Sequence, residues 1–504
     1  MSYIFYDFET TGKGKKASPN AFNQSPNWEQ VLQVGAIVAD DKFNQTNKSL
    51  DKRARLRTSI IPQPGAFLIT QKTIKEALIA EHSSYELISI INQHFQEWKK
   101  DSPNTAFVGH NSVEFDEPVL ENNLFTNLFN PYITRPNRGD TLNLARGLYA
   151  INPSKINIHI NERGSQIFRL ELLAELNGLP VEMAHDALSD VRTTISLAKF
   201  LSENDPDVWK EISLTMNTEK GIEYIKKNSG FCYVNYFFGK IKVQALSMVG
   251  ESLYNGWFHA IDLQHDPKTL LESNNEEFKK LIKKKDRWVI VNKNPIIFSG
   301  KFAKNYEPYK EIGTDLLNQR AKMVFKNKSL AEKFKYMQID RQLEKEEQAS
   351  QDNIFPEDKA NAYLEFPKQD KDNINIFHSL KSWKEKYEVA LKLKHPKASF
   401  IAKRLIFDES PETLTEDDFR KMHRELHDRL VINEDRPFTT IPESMAYVDT
   451  ELAKIEERGE DNSEDRIKIL NDFNQYLIFM EKYFSNKNAR PLKQGKELVK
   501  QIFG

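Results

Sequence analysis

Two carboxylates, Asp7 and Glu9, stand two residues apart in an otherwise apolar opening run, Tyr3-Ile4-Phe5-Tyr6-Asp7-Phe8-Glu9. Tyr3–Phe8 reads as a strand. Strand periodicity aims both acids to one face, roughly 7 Å apart at about 3.3 Å rise per residue. A strand in a domain core rarely carries two acids unless they are paired or face a cation. The rest of the chain therefore has to supply partners to that face.

Two further acids are placed to converge there. Asp116 follows the expected strand Ala106–His110 and its Gly109-His110-Asn111 turn, and Asp190 lies in a helix beginning after His185-Asp186-Ala187. Four hard oxygen ligands without a thiolate suit Mg²⁺ or Mn²⁺ rather than zinc. Taken singly, each piece has a bland reading: Asp-x-Glu recurs by chance, Asp190 is a solvated helix acid, and His185 is a cap. Around them, residues 1–200 alternate β-rich runs (Tyr3–Phe8, Val31–Ala39, Arg57–Pro62, Ala106–His110) with helical patterns (Ser84–Lys100, Arg169–Asn177, Ala187–Leu201). That alternation predicts an α/β unit. Gly12–Asn27 reads as a loop, and Asn204-Asp205-Pro206-Asp207 as a boundary.

Beyond the boundary the character changes twice. Phe231–Phe238, Gly256–Leu263 and Trp288–Val291 are aromatic and β-branched, as in a small antiparallel barrel or sandwich. After Ser350, apolar stripes over Phe377–Lys394, Thr415–Leu430, Glu443–Arg458 and Asp465–Phe484 predict helices, with Glu344–Asn353 as the linker. The 504 residues balance 72 Lys+Arg against 73 Asp+Glu, which excludes a uniformly basic protein. Locally the balance breaks: residues 220–335 hold 22 basic and 12 acidic side chains. Interleaved with Tyr224, Phe231, Tyr233, Tyr236 and Phe237, those lysines read either as a groove that tracks phosphates and stacks bases or as a solvated face. The single cysteine, Cys232, excludes an intramolecular disulfide and cysteine-cluster zinc sites and favours a reducing cytoplasm. No signal peptide is legible at the N-terminus and no apolar run reaches 18 residues, so no membrane partner is expected.

The order of the acidic motifs resembles the DEDDh 3′→5′ exonucleases. Their first motif matches Asp7-Phe8-Glu9-Thr10-Thr11-Gly12, their second Gly109-His110-Asn111 with Phe115-Asp116, and their third His185-Asp186-Ala187 with Asp190. Within that superfamily the chain resembles the bacterial exodeoxyribonuclease I family through Pro62-Gln63-Pro64-Gly65-Ala66-Phe67-Leu68-Ile69-Thr70 and Phe168-Arg169-Leu170-Glu171. Val289–Pro295 and Phe400–Leu405 are weaker echoes. The lysine-rich Gly12–Asn27 loop and the Phe407-Asp408-Glu409-Ser410 run depart from the pattern.

The resemblance implies a ribonuclease-H-like exonuclease domain over residues 1–202, a β-rich SH3-like domain over 203–350 that forms a DNA channel, and an α-helical domain over 351–504. It implies Mg²⁺-dependent hydrolysis of single-stranded DNA from the 3′ end, releasing nucleoside 5′-monophosphates in repair and recombination. Asp7 would bridge two Mg²⁺ ions (Mn²⁺ as a substitute), with Glu9, Asp116 and Asp190 completing their shells and His185 as general base. Arg169 would hold a substrate phosphate; its other reading is a salt bridge to Glu171 or Asp186. Glu9, Thr10 and the backbone near Phe8 and Thr10 would grip the terminal nucleotide, and Lys240 and Lys242 would line the channel. The implied partner is the acidic C-terminal tail of single-stranded DNA-binding protein, and the implied state is a cytoplasmic monomer. Segment 300–335 could dock that tail through Lys301, Lys304, Arg320, Lys322, Lys326 and Lys328 near Leu316, Leu317, Met323 and Phe325; the other reading gives these cations to the DNA channel or to solvent. An RNA-trimming nuclease on the same site and a non-catalytic nucleic-acid platform are the rival readings.

Overall fold

The computed structural model describes residues 2–16, 24–102, 104–181, 186–283, 285–349, 360–432, 436–458 and 463–504. Five strands form the first sheet: β1 (Tyr3–Thr10), β2 (Val31–Ala39), β3 (Gln45–Arg53), β4 (Ala106–Gly109) and β5 (Arg138–Asp140), in the order β3-β2-β1-β4-β5. β1 is central, antiparallel to β2 and parallel to β4. Its apolar side chains divide by strand period. Ile4, Tyr6 and Phe8 enter one core with helix α3 (Ser84–Lys100), whereas Tyr3 and Phe5 enter another. Asp7 and Glu9 continue the Tyr3/Phe5 face, which helix α7 (Ala187–Asn204) covers through Val191 and Ile195. The remaining helices of this unit are α1 (Pro64–Thr70), α2 (Ile74–Ile79), α4 (Asp116–Thr126), α5 (Thr141–Ile151) and α6 (Leu170–Leu176). Capping boxes start α2 at Thr73/Glu76 and α3 at Ser83/Glu86.

Four local expectations change. Arg57–Pro62 is a turn and irregular backbone, not a strand. The third strand is β3, whose sequence Gln-Thr-Asn-Lys-Ser-Leu-Asp-Lys-Arg buries only Leu50. It is a sheet edge facing water, so its polar composition hid it. The expected helix Phe377–Lys394 is two helices, Lys368–Ser379 and Trp383–Ala390. The helix Lys328–Ala349 runs into the expected linker, whose last residues lie outside those described. In the Gly12–Asn27 loop, Lys15–Lys16 pairs with Gln24–Ser25.

The middle of the chain forms a second, wholly antiparallel sheet from β6 (Phe231–Phe237), β7 (Lys240–Glu251), β8 (Trp257–Asp262), β9 (Asp286–Ile290) and β10 (Ile297–Ser299), ordered β9-β8-β7-β6-β10. Its Cys232, Val243 and Phe298 join the α7-side core of the first sheet. The C-terminal helices share a core with Leu56, Ile61, Phe67 and Ile74. Phe67 of α1 meets Phe473 edge-on at 5.4 Å, and Lys75 of α2 pairs with Asp472 at 2.7 Å. The helical region thus backs α1 and α2 against the end of β1. Among the described residues, no helix is long and apolar enough to cross a membrane.

Candidate active site

The site begins with a glycine. Gly35 on β2 lies opposite Asp7 in the strand register. A Cβ there would stand 2.3–2.4 Å from backbone atoms of Ala187 and Leu188. Only glycine lets the first turn of α7 lie so close to the sheet, and that turn carries Asp190 to β1. As a result, carboxylate oxygens of Asp7, Glu9 and Asp190 lie within 4.8 Å of one another. Among the described residues this is the group suited to holding a metal ion.

Asp116 approaches from the other side. It is buried at the N-terminus of α4, where its Oδ1 accepts the Phe8 N–H at 3.1 Å. That bond occupies the Phe8 amide, which is therefore not available to grip a nucleotide. Burial, then the charges of Asp116, Asp190 and Glu9, push the Asp7 carboxyl well above its ordinary range. Burial also raises Glu9, to about 7, against the attraction of Lys72 and with Asp190 adding repulsion. Lys72 and Arg53 offset only part of the repulsion at Glu9, and four carboxylates crowded in this way are arranged for a cation. The residues present therefore fit the divalent metal that sequence reading expected.

A proton–metal competition follows. Below about pH 7 the cation has to displace the proton of Glu9, and the raised Asp7 carboxyl adds to that competition, so affinity should rise with pH as those protons leave. Calorimetric Mn²⁺ titrations between pH 6 and 8 are expected to show tightening and proton release; a flat profile would contradict the assignment.

Several residues that sequence reading did not single out organise the site. Asp140, at the end of β5, accepts the amides of Asn111, Val113 and Leu142 at 2.8–3.2 Å. Asn111 itself has φ 64°, the left-handed turn that Asp140 stabilises. His110 is half-buried between the Thr141 hydroxyl (3.0 Å) and the Phe168 carbonyl (2.9 Å), and desolvation pushes it down to about 4, so it stays neutral. It thereby fixes the residue before Arg169. Glu117, beside Asp116, is structural: it accepts the Tyr6 and Thr134 hydroxyls and pairs with Arg138 at 2.5 Å.

Arg169 is exposed at the N-terminus of α6 and forms no ion pair among the described residues. Asp186 is engaged instead by Arg53 and Gln33, each at 2.9 Å. The Thr10 hydroxyl donates to the Gly12 carbonyl at 2.7 Å. Lys240 and Lys242 are exposed on β7. His185 lies outside the described residues. Beside Glu9 opens a cavity of about 470 Å³, walled by Thr10, Gln33, Arg53, Phe67 and Lys72 among others. Its size suits a nucleotide. Lys72, 3.2 Å from Gln33 Oε1, lies two residues past the Pro62–Thr70 signature, so no pattern drew attention to it.

Residues 4–198 match the family model described as exonuclease, RNase_T. The match covers the first sheet and the helices that carry the carboxylate site. The chain is 30% identical to exodeoxyribonuclease I of Escherichia coli (strain K12) over 223 residues, 44% of each chain. The sequence match thus spans less than half the length of that relative. Structural likeness extends much further. An exonuclease I from Methylocaldum szegediense superposes with a TM-score of 0.76 at 20% identity, covering 95% of this chain and 99% of that one. E. coli exonuclease I in complex with a 5cy-dT13 oligonucleotide gives 0.71 at 21% identity, and an ExoI/SSB-Ct complex 0.72 at 21%, each covering 95% of this chain and 99% of the other. The exonuclease I fold therefore extends over all three segments, including those in which sequence similarity has faded.

Proposed function

We propose that the protein is an exodeoxyribonuclease I: a divalent-metal-dependent exonuclease that removes nucleoside 5′-monophosphates from the 3′ end of single-stranded DNA, in repair and recombination. The observation that carries this reading is the convergence of Asp7, Glu9 and Asp190 within 4.8 Å beside a nucleotide-sized cavity. In the assignment, Asp7, Glu9, Asp116 and Asp190 hold Mg²⁺, two ions in the family's manner, with Mn²⁺ as a substitute. Bound there, the metal supplies charge neutralisation at the scissile phosphate and an acidified water. The protein's own groups do the remainder. His185 takes the proton of the attacking water, as an imidazole titrating near neutrality is suited to do. Arg169 holds a phosphate oxygen with its planar fork. Glu9, Thr10 and the cavity wall receive the terminal nucleotide, and Lys72 sets a positive charge beside it.

Segment 1–202 is read as the nuclease, 203–350 as the channel that tracks the strand with Lys240 and Lys242, and 351–504 as the scaffold behind α1 and α2. A cytoplasmic monomer accords with the lone buried thiol of Cys232. The tail of single-stranded DNA-binding protein is assigned to segment 300–335, with one revision. Arg320 donates to the Leu263 and Gln264 carbonyls, so it supports the fold rather than a ligand carboxylate. Lys301 and Lys304, beside a cavity lined with Phe231 and Leu317, take that role. A synthetic tail peptide should bind wild type, and Lys301→Ala with Lys304→Ala should weaken it; equal binding by both would remove the site from this segment.

The main test uses 3′- and 5′-labelled oligonucleotides with Mg²⁺. Mononucleotides are expected from the 3′ end of single-stranded DNA, with blunt duplex and RNA cut far more slowly. Release from the 5′ end, or preference for RNA, would reject the reading.

A further inference from the structure

The turn joining β6 to β7 presents the most exposed phenylalanine among the described residues. Phe238 is 79% exposed and its neighbour Phe237 54%, and the two rings meet at 4.2 Å. Leaving one large apolar ring in water is ordinary; leaving two adjacent rings at a hairpin tip is not. The backbone adds a second anomaly. Phe238 has φ 49° and Gly239 φ 75°, the two left-handed positions of a tight hairpin turn. Asn or Gly suits the first of these, and a phenylalanine there is strained. Strain of this kind, held at an exposed ring that contributes nothing to the core, points toward function.

The tip is not floating. Gln166 clamps it three times: its N–H donates to the Gly239 carbonyl at 2.7 Å, its carbonyl accepts the Tyr236 hydroxyl at 2.6 Å, and its Oε1 accepts the Ile241 amide at 2.7 Å. Even Gly239 is required, since a Cβ would stand 2.5 Å from Ser165 Oγ. Arg146 lies over the Tyr236 ring at 4.2 Å and stiffens the hairpin further. Gln166 precedes Arg169 by three residues, so the clamp lies within about 10 Å of Arg169 along the backbone. Glu171, just beyond it, is near enough to Asp7 to raise that carboxyl. The two rings are thus fixed to the rim of the carboxylate site, on the Arg169 side. Lys240 and Lys242 follow on one face of the strand, and Arg163 and the acid Glu162 are exposed in the neighbouring turn.

Two rigid rings among cations match a ligand that alternates flat apolar faces with negative charge, which is single-stranded nucleic acid. We propose that Phe237 and Phe238 form a base-stacking post that holds the strand on the 5′ side of the scissile phosphate. The proposal rests on the exonuclease reading: with the 3′ terminus in the cavity beside Glu9, the strand leaving past Arg169 is the 5′ portion. A post that accepts only an unstacked base also disfavours a paired strand, which gives the turn a part in selecting single strands.

The test binds the full-length protein to oligo-dT carrying one 2-aminopurine, moved position by position from the 3′ end, in EDTA so that nothing is cut. Wild type should change the probe's fluorescence at one or two internal positions as that base stacks on the post. Phe238→Ala should abolish the signal and weaken binding by about 5- to 150-fold, the range for losing one aromatic–base stack. Phe238→Gly separates stacking from folding. Glycine relieves the φ 49° strain, so a purely structural turn would be unharmed or improved, whereas a stacking post is lost as in the alanine variant. Phe238→Trp should restore binding. Wild-type affinity in both Phe238→Ala and Phe238→Gly would overturn the post while leaving the exonuclease reading intact. A wild-type protein that binds no oligonucleotide would overturn both.

Discussion

Asp7→Asn should lower turnover on single-stranded DNA by about 10³-fold or more, while the metal-free protein becomes at least as stable as wild type. The activity loss follows from the position of Asp7, the carboxylate flanked by all the others. Withdrawing it removes several kcal/mol of transition-state charge stabilisation, and each ~1.4 kcal/mol is tenfold in rate. The stability gain has the opposite origin. Without metal, burial and four neighbouring acids, Asp116, Asp190, Glu9 and Glu171, disfavour the charged form of Asp7. A neutral amide of the same shape removes that repulsion. Active sites that hold like charges together commonly trade stability for function in this way. Thermal melts in EDTA and single-turnover cleavage in Mg²⁺ read the two effects separately. A variant that cuts at ordinary rates would sink the metal site; one that melts well below wild type in EDTA would sink the electrostatic account.

The same residues explain how much of the protein could be read from its sequence. Strand β1 and helices α3 and α7 were legible, and all four acids were named, because each follows a local rule. Apolar alternation marks the strand, 3.6-residue periodicity marks the helices, and acids inside a core element require an explanation. β3 was not legible, because an edge strand facing water carries no apolar alternation. Asp140 was not, because its value lies in three amides brought to it by the Asn111 turn, contacts that no spacing encodes. Arg320 misled for the converse reason. A basic residue near apolar ones resembles a docking site, whereas its guanidinium is committed to two carbonyls from β8's far end. The helical segment was legible as helices but not as the wall behind the cavity beside Glu9. That role depends on Phe473 and Asp472 meeting Phe67 and Lys75 some four hundred residues earlier.

Gly35 is the sharpest case of a functional residue without functional chemistry, and it carries the second large prediction. Gly35→Ala inserts a single methyl group where backbone atoms of Ala187 and Leu188 stand 2.3–2.4 Å away. Those atoms belong to the first turn of α7 and cannot rotate aside as a side-chain end would. Restoring ordinary contact requires α7 to retreat by about 1 Å, a distance comparable to the misplacement that costs about 10²-fold in a preorganised site. Asp190 moves with the turn, away from Asp7 and Glu9. The expected signature is therefore coupled: cleavage falls by about 10²-fold and the Mn²⁺ affinity of the site weakens with it. Overpacking should cost about 1–3 kcal/mol of stability, so the variant stays folded. Gly250→Ala is the control, since its added methyl would meet only the Ala331 side chain at 3.5 Å, an ordinary contact. It should retain wild-type cleavage and metal affinity. Were Gly35→Ala to cleave within a few-fold of wild type, the close approach of α7 would not be what positions Asp190. Were it to lose activity while binding Mn²⁺ as tightly as wild type, the damage would lie elsewhere than in the carboxylate cluster.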